Sequence, residues 1–141
     1  MGETIMEHPH VAILRTVVNA FRERDWDTVY QYWTDDLVIH YDGASPVAGS
    51  YRGRDEIMTM MNKIDDLTDG TFQVEIHDIL GNDEHGIILY HEHAVRNGRR
   101  FDWNQIGIYH FRDGKFSEVW LHPTNQAEFD EFMSEPKEAH Q

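Results

Sequence analysis

The strongest constraint in this chain is the pair of alternating segments that meet at Arg96-Asn97-Gly98-Arg99. Asn-Gly between two such segments predicts a tight β-hairpin, because both residues tolerate the positive φ a two-residue turn needs. The hairpin runs from His85 to Phe111. Period-2 alternation sorts its side chains onto two faces. One face carries Ile88, Tyr90, Glu92 and Ala94, with Phe101, Trp103, Gln105, Gly107 and Tyr109 on the return strand. The other carries Leu89, His91, His93 and Val95, with Asp102, Asn104, Ile106, Ile108 and His110. Both faces mix large apolar groups with polar ones. Neither reads as plain solvent surface, so a pocket on one side and a partner surface on the other are expected.

At 141 residues the chain is one domain by size, 1–141, with an ordered core over roughly 8–133. Its net charge of −14 disfavours nucleic acid or an anionic membrane, which need clustered Lys and Arg. No run of about 18 apolar residues is present, so no membrane span is expected. The opening MGETIMEHPH has no apolar segment and does not read as a secretory signal. The absence of Cys excludes disulfide and thiolate chemistry and fits a cytoplasmic protein.

Helical spacing places Val11, Leu14, Val17, Val18 and Phe21 on one face of a helix over His10–Glu23, with Pro9 in its first turn. A second helix follows Asp25, an N-cap, with Trp26, Val29, Tyr30 and Trp33 at i, i+3, i+4 and i+7. Leu37 to Asp42 is a short strand, and Gly43 to Gly53 a Gly- and Pro-punctuated loop. Asp55 to Leu67 is a third helix with Ile57, Met60, Met61 and Ile64 on one face. Its Met pair is either core packing or an adaptable pocket wall. Thr71 to Leu80 alternates as a strand and turns at Gly81-Asn82-Asp83 into the hairpin. Asp113-Gly114 leads to a last strand, Lys115 to His122, and Asn125 caps a short helix through Met133, with a frayed tail from Glu135. Helix, helix, strand, helix and then four antiparallel strands describe an α+β domain, three helices on one face of a curved mixed sheet.

Walker, GxGxxG and GxSxG motifs are absent, so phosphate cradling, dinucleotide binding and elbow-type serine hydrolysis have no support. His91 and His93, with His110 nearby, have spacing that permits a metal, but a further ligand is missing; a satisfied polar or interface cluster is the favoured reading, and no metal or cofactor is expected. Glu92 points the other way, among Tyr90, Trp103, Gln105 and Tyr109. A carboxylate against aromatic walls has its pKa raised and can act as a general base. Tyr109 and Tyr41 can donate hydrogen bonds to an oxyanion. The bland alternative is a buried Glu92 satisfied by Gln105 or Arg100. His40 and Asp42 share one face of the first strand, Tyr41 and Ile39 the other, and either pair can line a pocket mouth.

The segments AFRERDWDTVYQYWTDDLVIHYDG, SPVAGSYRGRDEI and DGKFSEVWLHPTNQAEFDEF, with this element order, resemble the nuclear transport factor 2-like superfamily, most of all its SnoaL-like and ketosteroid-isomerase-like branch. The resemblance spans roughly Val11 to Met133. It implies a cone-shaped barrel, with helices and the concave sheet face enclosing an apolar pocket and the convex face forming a homodimer. Tyr90, Glu92, Trp103, Gln105 and Tyr109 then line the cone, and His91, His93, Ile106, Ile108 and His110 face the partner.

Carried over residue by residue, Val17 stands at the ketosteroid-isomerase oxyanion-hole Tyr position, Tyr41 at its base and Tyr109 at its oxyanion-hole Asp. Two of the three roles are missing, so steroid isomerisation by that mechanism is not expected. The limonene-epoxide-hydrolase and scytalone-dehydratase sets are also unmatched. A polyketide-cyclase-type acid or base is open to Glu92, His40 or His122. The expectation is a pocket protein for a small, apolar, oxygenated or polycyclic molecule, doing cofactor-free isomerisation, cyclisation or dehydration. Its catalytic residues would be Glu92, Tyr109, Tyr41 and His40; Trp33, Val17, Tyr90, Trp103, Gln105, Met61, Trp120 and His122 would bind the ligand. Val119/Leu121 and Trp120/His122 compete for the pocket face of the last strand. The alternative is a non-catalytic binding or dimerisation module.

Overall fold

The computed structural model describes residues 7–136. Readings that fall on residues 1–6 and 137–141, including most of the opening segment and of the tail, lie outside the described residues. The elements in order are α1 (Pro9–Arg22), α2 (Trp26–Gln31), β1 (Trp33–Tyr41), β2 (Gly49–Arg52), α3 (Gly53–Leu67), β3 (Gln73–Gly81), β4 (His85–Arg96), β5 (Arg99–Arg112), β6 (Lys115–Pro123) and α4 (Gln126–Ser134). The six strands form one sheet in the order β2-β1-β6-β5-β4-β3. All neighbours are antiparallel except β1 and β6. The result is the α+β cone with a curved mixed sheet, but β2 and β3 remain free edges and the barrel does not close.

The hairpin forms as its turn residues require. Asn97 and Gly98 have φ of 54° and 73°, and β4 pairs with β5 from Arg96↔Arg99 back to His85↔His110. Burial alternates without a break along β4, with Ile88, Tyr90, Glu92 and Ala94 inside. Helix α1 starts at Pro9, where a missing N–H costs nothing. Its buried stripe of Val11, Leu14, Val17 and Val18 faces the sheet. Asp25 caps α2 by accepting from the Thr28 N–H at 3.3 Å and its hydroxyl at 2.6 Å.

Four segments depart from the sequence reading. Helix α2 ends at Gln31, and Trp33 opens β1, where it pairs with Phe116 of β6. Helical spacing of Trp33 with Trp26 is a coincidence that sheet pairing overrides. The loop over 43–53 contains β2, four residues paired with β1. In β3 the register shifts between Ile76 and Asp78, which flips the alternation. Ile79 therefore packs inward while Leu80 is 50% exposed. A fourth helix also covers the concave face: Phe129 of α4 stacks on Tyr41 at 5.8 Å and Phe132 on Phe101 at 4.9 Å.

Arg96 fastens this end. It is 2% exposed, and its guanidinium donates to the carbonyls of Leu67 at 2.7 Å, Phe132 at 2.5 Å and Glu135 at 2.8 Å. The first and second lie at the ends of α3 and α4, where helix carbonyls lack intrahelical partners and favour a cation. Glu135, placed in a frayed tail by the sequence, is held here.

Candidate functional site

Between the helices and the concave sheet lies a cavity of about 130 Å³. Leu14, Val17, Val18 and Phe21 of α1, Val29 of α2, and Met60, Met61 and Ile64 of α3 form its helical wall. Trp33, Leu37, Ile39, Val74, Ile88, Phe116, Val119 and Leu121 continue the apolar lining across the sheet. Polar atoms come from one group of sheet residues: Tyr41, Tyr90, Glu92, Gln105 and Tyr109.

Three consecutive inward rungs of the β4–β5 ladder, Glu92↔Trp103, Tyr90↔Gln105 and Ile88↔Gly107, with Tyr109 next along β5, build all of that polar group but Tyr41, which comes from β1. Glu92 is 3% exposed. Its Oε1 accepts from Trp103 Nε1 at 2.9 Å. The Tyr90 and Tyr109 hydroxyls share a hydrogen bond, and the Tyr41 hydroxyl donates to Gln105 Oε1 at 3.1 Å. Burial raises the Glu92 pKa to about 8, and the Trp103 N–H only partly offsets it. Burial likewise pushes Tyr41, Tyr90 and Tyr109 above the ordinary tyrosine value, and the nearby Glu92 charge adds to this. These phenols stay protonated at any ordinary pH. Glu92 exchanges its proton near neutrality, the property a general acid or base needs.

Of the residues singled out from sequence, Glu92, Tyr109, Tyr41, Trp33, Val17, Tyr90, Gln105 and Met61 line the cavity. His40, Trp103, Trp120 and His122 do not. Ile39 and Tyr41 point inward from β1, so His40 points out, where it meets Ser50 Oγ at 2.7 Å and Glu118 Oε2 at 2.6 Å and stacks on Trp120. The parallel register Ile39↔Val119 and Tyr41↔Leu121 puts Val119 and Leu121 inside. Trp120 and His122 are thereby outside, the latter paired with Asp42 at 2.6 Å. Trp103 faces inward but is covered by α4, packed against Phe129 and Phe132. It holds Glu92 from behind rather than walling the cavity. Neither Gln105 nor Arg100 satisfies Glu92, since Gln105 accepts from Tyr41 and Arg100 pairs with Asp102 at 2.8 Å. His91 meets Asn104 Oδ1 at 3.1 Å, and among the described residues no three His, Asp or Glu side chains are grouped to hold a metal ion.

A family model described as a SnoaL-like domain matches residues 14–119, the stretch that supplies the cavity from Leu14 to Val119. The chain belongs to the SnoaL-like family. Among solved structures, this SnoaL-like domain is similar to a protein from a soil-derived mobile gene cassette, at 25% identity and TM-score 0.83, covering 89% of this chain and 96% of that one. It also resembles TerC co-crystallised with polyporic acid, at 13% identity and TM-score 0.80, covering 91% and 100%. An NTF2-like protein of unknown function from Burkholderia pseudomallei shares 18% identity with TM-score 0.79, covering 92% and 100%. The latter two likenesses show the fold. No curated relative matches the sequence. No helix among the described residues is long and apolar enough to cross a membrane.

The lining residues not singled out from sequence are apolar, chiefly Leu14, Phe21, Val74, Ile88 and Phe116. Helical spacing on α1 and inward alternation on the strands mark them as core. Which core positions border empty space depends on side chains from three helices and five strands failing to meet, and no local pattern records that.

Proposed function

We propose that this SnoaL-like domain binds a small, apolar, oxygenated molecule in the concave cavity and performs cofactor-free proton transfer on it. The carrying observation is a carboxyl, Glu92, buried in an apolar cavity with one hydrogen-bond donor and a pKa near working pH. Isomerisation, aldol cyclisation and dehydration all begin with a proton moved at a carbon beside a carbonyl. Deprotonated Glu92 would take that proton through Oε2, since Oε1 is held by Trp103. The Tyr90–Tyr109 pair would donate to the developing enolate oxygen. Tyr41 is already committed to Gln105 and supports that side chain.

The test is α-hydrogen exchange of small ketones in D2O, followed by NMR. Wild-type protein should accelerate exchange, with a rate that climbs as pH rises through about 8. Glu92→Gln should return it to background with the fold intact. Retained exchange would remove Glu92 from the chemistry. Ligand binding with no exchange in the wild type would leave a binding module only. We further propose that the outer face, with Leu89, Ile106 and Ile108 among its histidines, pairs with a second copy of the chain. The cysteine-free sequence fits a cytoplasmic setting.

A further inference from the structure

Hydrogen atoms at the polar end of the cavity can be accounted for one group at a time. In the Tyr90–Tyr109 pair one hydroxyl donates to the other, so the accepting hydroxyl keeps a free hydrogen. Gln105 uses its carbonyl oxygen to accept from Tyr41, so its amide hydrogens remain for another partner. Glu92 accepts at Oε1, which leaves Oε2 as the oxygen that carries its acid proton. Burial against apolar walls with a single donor favours that neutral form. In this neutral, resting form all three groups on this end offer hydrogens; the proposed proton transfer uses the ionised form of Glu92, which grows as pH rises toward about 8.

Charge narrows the ligand further. Among the described residues no Lys or Arg lines the cavity. The buried Arg96 lies on the same sheet face but spends its N–H groups on three backbone carbonyls. An anion entering here would lose its water with no cation to replace it. Size narrows it again. A cavity of about 150 Å³ holds benzene, and this one measures about 130 Å³.

We infer that the cavity selects a neutral, single-ring-sized molecule carrying one hydrogen-bond acceptor, such as a ketone oxygen, seated against Tyr90–Tyr109, Gln105 and Glu92. Carboxylates and fused polycycles are excluded by the missing cation and by the volume. This rests on the cavity being the ligand site, as in the proposed function, and specifies what enters it.

Four probes test it by methyl-resolved NMR, reading the Val17, Ile88 and Leu121 signals. They are cyclohexanone, methylcyclohexane, cyclopentanecarboxylate and the bicyclic ketone 2-decalone. Cyclohexanone should bind about ten-fold more tightly than methylcyclohexane, the worth of a good hydrogen bond or two. Cyclopentanecarboxylate and 2-decalone should give no saturable shift. Gln105→Met should remove most of the preference for cyclohexanone while methylcyclohexane still binds, which shows that the variant is folded. Equal binding of cyclohexanone and methylcyclohexane would overturn acceptor recognition and leave the cavity as a ligand site. Tighter binding of the carboxylate would overturn the charge argument, and tight binding of 2-decalone the size argument. Silence of all three methyl groups toward every probe would overturn both this inference and the functional reading beneath it.

Discussion

Glu92→Gln should change how stability depends on pH. In the unfolded chain the carboxyl titrates near 4.5, and in the fold near about 8. Between those values the folded state holds a proton that the unfolded state has released, so stability falls as pH rises. The contribution is fully present below the unfolded value and spent above the folded one. The slope is close to 1.4 kcal/mol per pH unit. From about pH 6 to about pH 9, the loss attributable to Glu92 is roughly 2–3 kcal/mol. Gln keeps the shape, and its carbonyl can still accept from Trp103 Nε1, so the substitution removes the titration and little else. Urea unfolding of both proteins at the two pH values measures it, with linear extrapolation to water. The variant should gain roughly 2–3 kcal/mol on wild type across that range. A stability difference that stays constant with pH would refute the reasoning, because Glu92 would then be ionised in the fold or never desolvated.

Other substitutions follow from the same packing. Arg96→Met should cost about 3–5 kcal/mol, since it strips one buried and two part-buried carbonyls of their donor, and thermal unfolding would show it. A loss under about 1 kcal/mol would mean that water reaches those carbonyls. Gly107→Ala should cost about 1–3 kcal/mol, because a Cβ there would sit 2.8 Å from Tyr109 Cε2 and 3.0 Å from Tyr90 Cε2. Near-wild-type stability would show that the tyrosine pair is free to move. Ile106→Glu places a charge in the outer apolar patch and should turn the proposed dimer into a monomer in sedimentation velocity; a dimer left unchanged, or a wild-type monomer, would rule out this face as the interface.

What the sequence could reveal depends on how local each feature is. The hairpin faces were readable because alternation needs only neighbouring residues and the Asn97-Gly98 turn sets the phase. Strand β2 was not, because three of its four residues are exposed and its extension comes from pairing with β1. Trp33 matched helical spacing and went to a strand because Phe116, far along the chain, was its partner. The face of β6 was open for a different reason. In β6 a count from the Asp113-Gly114 turn would set Tyr109 opposite Glu118, but the register shift between His110 and Phe111 sets it opposite Val119, and that shift has no local signature in the sequence. The four residues wrongly sent toward the pocket fail in two ways. His40, Trp120 and His122 lie on the wrong face, whereas Trp103 lies on the correct face at the wrong depth, beneath α4. Period gives direction; depth is set by whatever packs on top.

The Glu92–Trp103 hydrogen bond was nonetheless within reach of the sequence. A two-residue turn at Asn97-Gly98 pairs Arg96 with Arg99, and four steps along each strand arrive at Glu92 and Trp103. Directly opposed residues on one face are each other's nearest side chains, so the indole N–H was a closer partner for the carboxyl than Arg100. The next inward rung is Tyr90 with Gln105, followed by Ile88 with Gly107. Gly107 leaves the space that the two tyrosine rings occupy. One ladder thus positions the carboxyl, the group that holds it, the amide and the tyrosine pair. The helices add only apolar wall, and that wall is why a glutamate on this ladder keeps its proton near neutral pH. Acid strength is therefore set by the wall against the Trp103 N–H, and ligand polarity by the ladder. Changes to α1 or α3 should retune the Glu92 pKa through desolvation, whereas changes to β4 or β5 should alter which ligand atom is recognised.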